Sequence, residues 1–331
     1  MHIQDNSPMF FTHLAHRAVA RPLRRGELLN LVRVGIVQGR AVPEWLGAAH
    51  DLKERFFPGQ LHLCAITSAK TGRCAEDCAF CAQSGHHAVD IASHPLAEEA
   101  ELERRGRLAL ASGLSRFSFV TSGGRLTKEG VARLAGVTRR LTAQGLAVDL
   151  SVGTVDAEDM ACFREAGVDR LHHNLETSPR FYPRICSTHS WRSRYETVRA
   201  ALEAGCKVCS GGIFGLGESW ADRVDLALCL RSLGVDSVPL NFLTPIPGTP
   251  LAANRILSED EALAIIALFR FALPQANIRI AGGRLAVFGD SLHALLRSGA
   301  SGLMVGDYLT TPGMSLNQVQ TAATSVGLEL V

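Results

Sequence analysis

Apolar positions along the chain switch between two periods. Eight short runs rich in β-branched and aromatic residues predict strands over 62–68, 116–122, 147–153, 170–176, 207–213, 237–243, 277–281 and 302–305. Between them the apolar residues recur at helical spacing. In 127–144, Val131, Leu134, Val137 and Leu141 share one face, while Arg133, Arg139 and Arg140 lie elsewhere on the turn. In 219–233 the stripe is Trp220, Val224 and Leu228. Ser258 followed by Glu261 has the form of a capping box ahead of a helix over 262–272. Gly113, Gly145, Gly167, Gly205 and Gly234 close several of these units.

Regular alternation of strand and helix implies parallel strands joined by right-handed crossovers. Eight units favour a closed α/β barrel of the TIM type, (βα)8, over a doubly wound open sheet. Such a barrel carries its chemistry on the loops after the strand C-termini. Residues 1–60 are expected to form an N-terminal helical extension, 61–306 the barrel, and 307–331 a short C-terminal tail packed on it.

Composition narrows the classes. The chain has 331 residues, 47% apolar and 20% charged, enough for a full core. A formal charge of +2 argues against a nucleic-acid partner held by a basic surface. No apolar run reaches the roughly 18 residues that a membrane helix needs. The basic stretch 13–25 lacks the apolar core of a secretory signal and is read as part of the helical extension. Nine cysteines, an odd number in a long chain, do not suggest a disulfide scaffold. A reducing, cytoplasmic setting with some cysteines on metal fits better. Cys162 and Cys229 lie in apolar helical surroundings, as buried small hydrophobes do.

Cys74, Cys78 and Cys81 carry the most specific signal. Their spacing is C-x3-C-x2-C, and they follow the first predicted strand. Three thiolates can hold three irons of a 4Fe-4S cubane and leave the fourth open to a small molecule. A structural zinc site needs a fourth ligand, which His86 or His87 could supply. Zinc gives no reason for Phe80 before the third cysteine. A second run, Gly211-Gly-Ile-Phe-Gly-Leu-Gly-Glu218, fits G-x-I-x-G-x-x-E, where glycines allow backbone to approach a ligand closely. Alone it would be an ordinary Gly-rich turn. His172 and His173 could be a metal pair, but neighbours on a strand point to opposite faces, so one is expected to be structural.

The two motifs resemble those of the radical S-adenosylmethionine superfamily. There the amino and carboxylate groups of S-adenosylmethionine chelate the open iron, and one electron yields a 5′-deoxyadenosyl radical. Closer still, 70–83, His173-Asn-Leu-Glu-Thr-Ser178, 207–213, 248–251, 278–284 and 307–312 resemble biotin synthases, in order, from about residue 60 to the end. That family inserts sulfur between two unactivated carbons of dethiobiotin. The resemblance implies that Cys74, Cys78 and Cys81 ligate the radical cluster and that Phe80 packs near the adenine. It implies that Asn174, Glu176, Arg194, Gly211 and Glu218 contact S-adenosylmethionine. Asn174 and Asn241 are implied substrate contacts, Asn241 near the ureido ring. The family more often has Asp at position 176. A flavodoxin- or ferredoxin-type reductant and a homodimer follow from the same resemblance.

One departure stands out. Biotin synthases hold an auxiliary iron–sulfur cluster, the source of sulfur, on three cysteines and one arginine. Cys209 and Arg279 match two of those ligands, while Ser118 and Asp149 occupy the other positions. Apolar neighbours on either side predict that Ser118 and Asp149 face the lumen. A buried Asp149 needs a partner, and Arg279 is the expected one. Several readings stay open. Oxygen ligands could hold a cluster, Cys186 or Cys206 could substitute, or a polar network could replace it. The chain could also be a maturase-like or mutase-like radical enzyme that inserts no sulfur, an iron–sulfur carrier, or a zinc-stabilised binding barrel.

Overall fold

The structure is a computed structural model that describes residues 9–38, 40–289, 292–309, 311 and 313–331. Thr310 and Pro312 of the 307–312 motif lie outside the described residues. Three helices lead in: α1 (Phe10–Ala20), α2 (Arg25–Gly35) and α3 (Pro43–Phe56). The barrel alternates β1 (Gln60–Lys70), α4 (Glu99–Ala111), β2 (Arg116–Thr121), α5 (Lys128–Thr142), β3 (Ala147–Ser151), α6 (Ala157–Glu165) and β4 (Arg170–His172). It continues with α7 (Trp191–Glu203), β5 (Lys207–Cys209), α8 (Trp220–Leu233), β6 (Ser237–Phe242), α9 (Glu259–Ala272) and β7 (Asn277–Ile280). Two short helices, α10 (Arg284–Phe288) and α11 (His293–Leu296), precede β8 (Gly302–Val305), and α12 (Leu316–Ser325) follows it.

Every strand pairs in parallel with its sequence neighbour, and β8 pairs with β1 through Gly302–His62 to Val305–Ala65. The sheet is therefore a closed eight-stranded barrel. Apolar residues of the outward strand faces and of the helices form one continuous core, with Leu134, Val198, Leu230 and Phe269 among its buried members. A terminal pair, Glu329–Leu330, lies parallel to Gln60–Leu61 at the start of β1. The leading helices lie over α8 and α9, and Arg25 of α2 pairs with Asp225 of α8 at 2.6 Å.

Helix starts follow local chemistry. Thr127, Ser219 and Ser258 each accept a backbone N–H from three residues on. The box expected at Ser258 is only half made, because Glu261 turns its carboxylate to Arg223 and Arg255. Two strands are shorter than the apolar runs predict. The run 170–176 leaves the ladder after His172, and Glu176 takes a left-handed φ of 67°. The run 207–213 breaks after Cys209 and resumes at Gly212–Phe214. At the break the backbones come too close for side chains. A Cβ on Gly211 would lie 1.9 Å from the Pro239 carbonyl oxygen, and one on Gly212 would lie 2.4 Å from that of Glu176.

Candidate active site

The loop after β1 wraps the three cysteines around one chamber. Gly72 and Arg73 take positive φ, and the Gly72 N–H donates to the buried Gln83 side chain. The Cys74 and Gln83 backbones are joined at 3.0 Å, and the Cys81 N–H donates to the Cys78 carbonyl at 2.9 Å. Cys74, Cys78 and Cys81 all border an outer chamber of about 480 Å³, together with Asn174, Glu176 and Arg194. Burial pushes the Cys78 and Cys81 thiols above the ordinary range. The three thiols border one chamber, and His86 and His87, the fourth zinc ligands the sequence offered, do not border it, whereas His189 does and lies with Cys78 and Cys186 close enough to share a metal ion. His86 and His87 face the loop's own carbonyls, of Ala75 at 2.9 Å and Cys78 at 3.0 Å.

An inner chamber of about 340 Å³ fills the upper barrel. Phe80, Cys81, Gln83, Val120, Ser151, His172, Asn174, Glu176 and Leu309 border both chambers, so the two are contiguous. Ser118, Asp149, Cys209, Asn241 and Arg279 all line the inner one, as strand parity predicts.

The chamber walls are held by a polar frame. Arg194, largely buried rather than solvated, donates from Nε to the Asn174 carbonyl oxygen at 2.5 Å and pairs with Glu176 at 3.2 Å. Burial raises the Glu176 pKa against the pull of Arg194. The Gly211 N–H donates to Asn174 Oδ1 at 3.0 Å. Asn241 donates to the Gly212 carbonyl and accepts from the Gly282 N–H, leaving one N–H and one lone pair for a ligand.

Four expectations need correction. Gly211 and Glu218 do not border either chamber. Gly211 is needed for close strand packing, and Glu218 accepts from Gly215, Leu216 and Arg223, so it shapes its own loop. Asp149 pairs not with Arg279 but with Arg116, at 2.6 Å, and Arg116 also holds Asp169. His172 and His173 both border the outer chamber, because strand alternation lapses where β4 ends. Finally, neither Cys186 nor Cys206 reaches the inner chamber. Cys206 lies outside the barrel wall among partly buried core neighbours, as do Cys162 and Cys229.

Two features went unnoticed in the sequence: the contacts that join Cys186 to His189, and the place of Cys64. Cys186 Sγ lies 3.9 Å from Cys78 Sγ and 3.2 Å from His189 Nδ1. His189 also meets Glu76 at 2.7 Å, Tyr182 at 2.8 Å and Arg194 at 3.1 Å, stitching the loop after β4 to the cysteine loop. The other omission is Cys64 on β1, which lines the inner chamber. Its even parity with Ile66 was the available signal.

Comparison with known proteins resolves the family. Residues 69–230 match the Radical SAM superfamily, and residues 239–329 match the Biotin and Thiamin Synthesis associated domain. The biotin synthase of Citrifermentans bemidjiense is 42% identical over 320 residues, covering 96% of this chain and 97% of that protein. That of Geobacter metallireducens is 46% identical over 273 residues, covering 82% and 83%. The chain belongs to the biotin synthase family. Among solved structures, methylornithine synthase (PylB) superposes with a TM-score of 0.81 at 19% identity, over 96% of this chain and 97% of its own. HydG, a maturase of the FeFe-hydrogenase, gives 0.83 at 14% identity, over 98% and 76%. Those two share the fold alone. No helix among the described residues is long and apolar enough to cross a membrane.

Proposed function

We propose that the joined chambers carry out radical-mediated sulfur insertion into dethiobiotin, forming biotin. The contiguity of the chambers carries this reading. A nucleoside bound beside Cys74, Cys78 and Cys81 lies next to whatever fills the upper barrel, and 42–46% identity to biotin synthases says what that is. When bound, the cluster and S-adenosylmethionine supply the electron and the 5′-deoxyadenosyl radical that removes hydrogen from the substrate.

The remaining chemistry is positioning. Cys74, Cys78 and Cys81 hold three irons. Phe80, at the junction of the chambers, offers an apolar face to the adenine. Glu176, oriented by Arg194, accepts from ribose hydroxyls, and the longer side chain reaches as Asp would in relatives. Asn174 and Asn241 present amide groups to the ligands, Asn241 to the ureido ring. Ile66, Val120, Phe242 and Ala281 keep the inner chamber apolar and exclude water from the radical. Glu218 and Gly211 act at one remove, by fixing the loop and the position of Asn174.

The reading includes a flavodoxin- or ferredoxin-type reductant, a homodimer and a reducing, cytoplasmic setting, in keeping with nine cysteines free of disulfides. Anaerobic reconstitution followed by dithionite and S-adenosylmethionine tests the radical half. Deoxyadenosine is expected, with more released when dethiobiotin is present. A protein that binds zinc and releases none would sink the enzyme reading.

A further inference from the structure

Among the described residues, the donor atoms of Cys78, Cys186 and His189 all lie within 4.8 Å of one another. Neither Cys74 nor Cys81 belongs to that trio. Cys78 therefore sits in two donor sets, one within the cysteine loop and one shared with the loop after β4. The distances suit a single small cation. A tetrahedral ion with metal–sulfur bonds of about 2.3 Å and metal–nitrogen bonds of about 2.0 Å sets two sulfurs roughly 3.8 Å apart, and sulfur and nitrogen roughly 3.5 Å apart. Here the Cys78 and Cys186 sulfurs are 3.9 Å apart, and Cys186 Sγ lies 3.2 Å from His189 Nδ1.

The surroundings are those of ligands as well as of packing. Cys186 packs with Phe181, Ile185 and Leu216, as any small buried hydrophobe would. Yet Asp77 Oδ1 lies 3.2 Å from its sulfur, and the same carboxylate accepts from the Ser187 and Thr188 N–H groups. Glu76 Oε2 lies 2.7 Å from His189 Nδ1, and the Tyr182 hydroxyl lies 2.8 Å from Nε2. Two carboxylates beside the trio favour a cation, and contacts at both ring nitrogens fix the imidazole's orientation. Arg194, 3.1 Å from Nε2, is already paired with Glu176. Cys78 and His189 border the outer chamber, while Cys186 does not. An ion thus has a way in, and the chamber can supply water as a fourth ligand.

We propose that Cys78, Cys186 and His189 bind one thiophilic divalent cation, zinc or ferrous iron, in the cluster-free protein. Both thiols give up their protons to solvent as the ion binds. Thiolate and imidazole donors select such metals over magnesium or calcium. The ion pins the loop after β4 to the cysteine loop. It also occupies Cys78, so on the ligand assignment above it and the cubane exclude each other. Binding itself does not depend on the sulfur-insertion reading.

The test titrates metal-free, full-length protein with cobalt(II) and then zinc(II), without oxygen and with a phosphine reductant. The readout is the thiolate-to-cobalt charge-transfer and d–d absorption. The wild type should bind one equivalent of cobalt with the intense d–d bands of a tetrahedral site, and zinc should displace it. Cys186→Ala and His189→Gln should each bind at least about tenfold more weakly, whereas Cys81→Ala should bind as the wild type does. Given ferrous iron and sulfide, Cys186→Ala should still build the cubane's absorption, which shows that it folds; should it not, His189→Gln against Cys81→Ala carries the comparison. Zinc added first should slow that assembly in the wild type and not in Cys186→Ala. A wild type without tetrahedral bands, or full affinity in either Cys186→Ala or His189→Gln, overturns the proposal. So does an equal loss in Cys81→Ala, which would put the ion on the cysteine loop alone. Zinc that binds as expected without slowing assembly leaves the site standing and overturns the assignment of Cys78 to the cubane.

Discussion

At Cys78 the local environment and the chemistry are hard to separate. Its thiol is buried beside Cys186, which holds it protonated until a metal takes the proton's place. On the proposed ligand assignment, replacing it leaves the cubane short of a ligand. Cys78→Ala should therefore abolish S-adenosylmethionine cleavage under dithionite, a loss of at least about a hundredfold; deoxyadenosine release at the wild-type rate would contradict the ligand assignment. His62 makes a different prediction. Burial, aided by Arg279 and Arg116, lowers its pKa from 6.5 to about 4. Below 6.5 the unfolded chain takes up a proton that the folded chain refuses until about pH 4, so stability falls as pH falls through that window. Calorimetry should show a shallower acid-side drop in melting temperature for His62→Gln than for the wild type. Equal slopes would mean that His62 does not titrate this way. At this scale the cysteine motif was legible because its spacing is local. The partner of Asp149 was not. Parity places Arg116, Ser118, Asp149 and Arg279 on one face, but register decides contact. Ser118 stands opposite Asp149, which makes Arg116 the diagonal neighbour, while Arg279 lies on β7, away from β3.

Strands and helices were read well where one period ran without interruption, as in α5, α8 and β8. They were misread where backbone contacts overrule apolar pattern. The runs 170–176 and 207–213 look alike, yet both break where Glu176 and Gly212 meet and where Gly211 passes Pro239. No pattern of side chains records a backbone packed within 1.9 Å of a would-be Cβ. Gly211→Ala should cost about 3 kcal/mol or more in denaturant unfolding, or abolish soluble expression. Gly26→Ala, in open space on α2, should change stability by less than about 1 kcal/mol. Similar costs for both would mean that the break is not set by strand approach. Arg270 on α9 offers a second test. Fully buried, it donates to Gly299, Pro274, Ala276 and Ser301, tying α9 to the segments that enter β7 and β8. Arg270→Ala strands those acceptors and opens a cavity, for a loss of about 3 kcal/mol or more in the same measurement. A loss under about 1 kcal/mol would show that water replaces the guanidinium.

Across the whole molecule, closure of eight strands brings distant segments to one place. The cysteine loop, the loop after β4 and the inner strand faces meet only because the sheet returns on itself from β8 to β1. The count of eight alternations made that closure legible, and the family motifs named the candidate ligands. What neither supplied was Cys64 of the first strand, which lines the inner chamber with Cys209 and Arg279. The central claim is that this enclosure inserts sulfur rather than merely generating a radical. Mass spectrometry of the product from anaerobically reconstituted protein, dithionite, S-adenosylmethionine and dethiobiotin tests it most directly. The account predicts biotin, which is dethiobiotin with one sulfur gained and two hydrogens lost. Deoxyadenosine accumulating beside dethiobiotin that has gained no sulfur would contradict it.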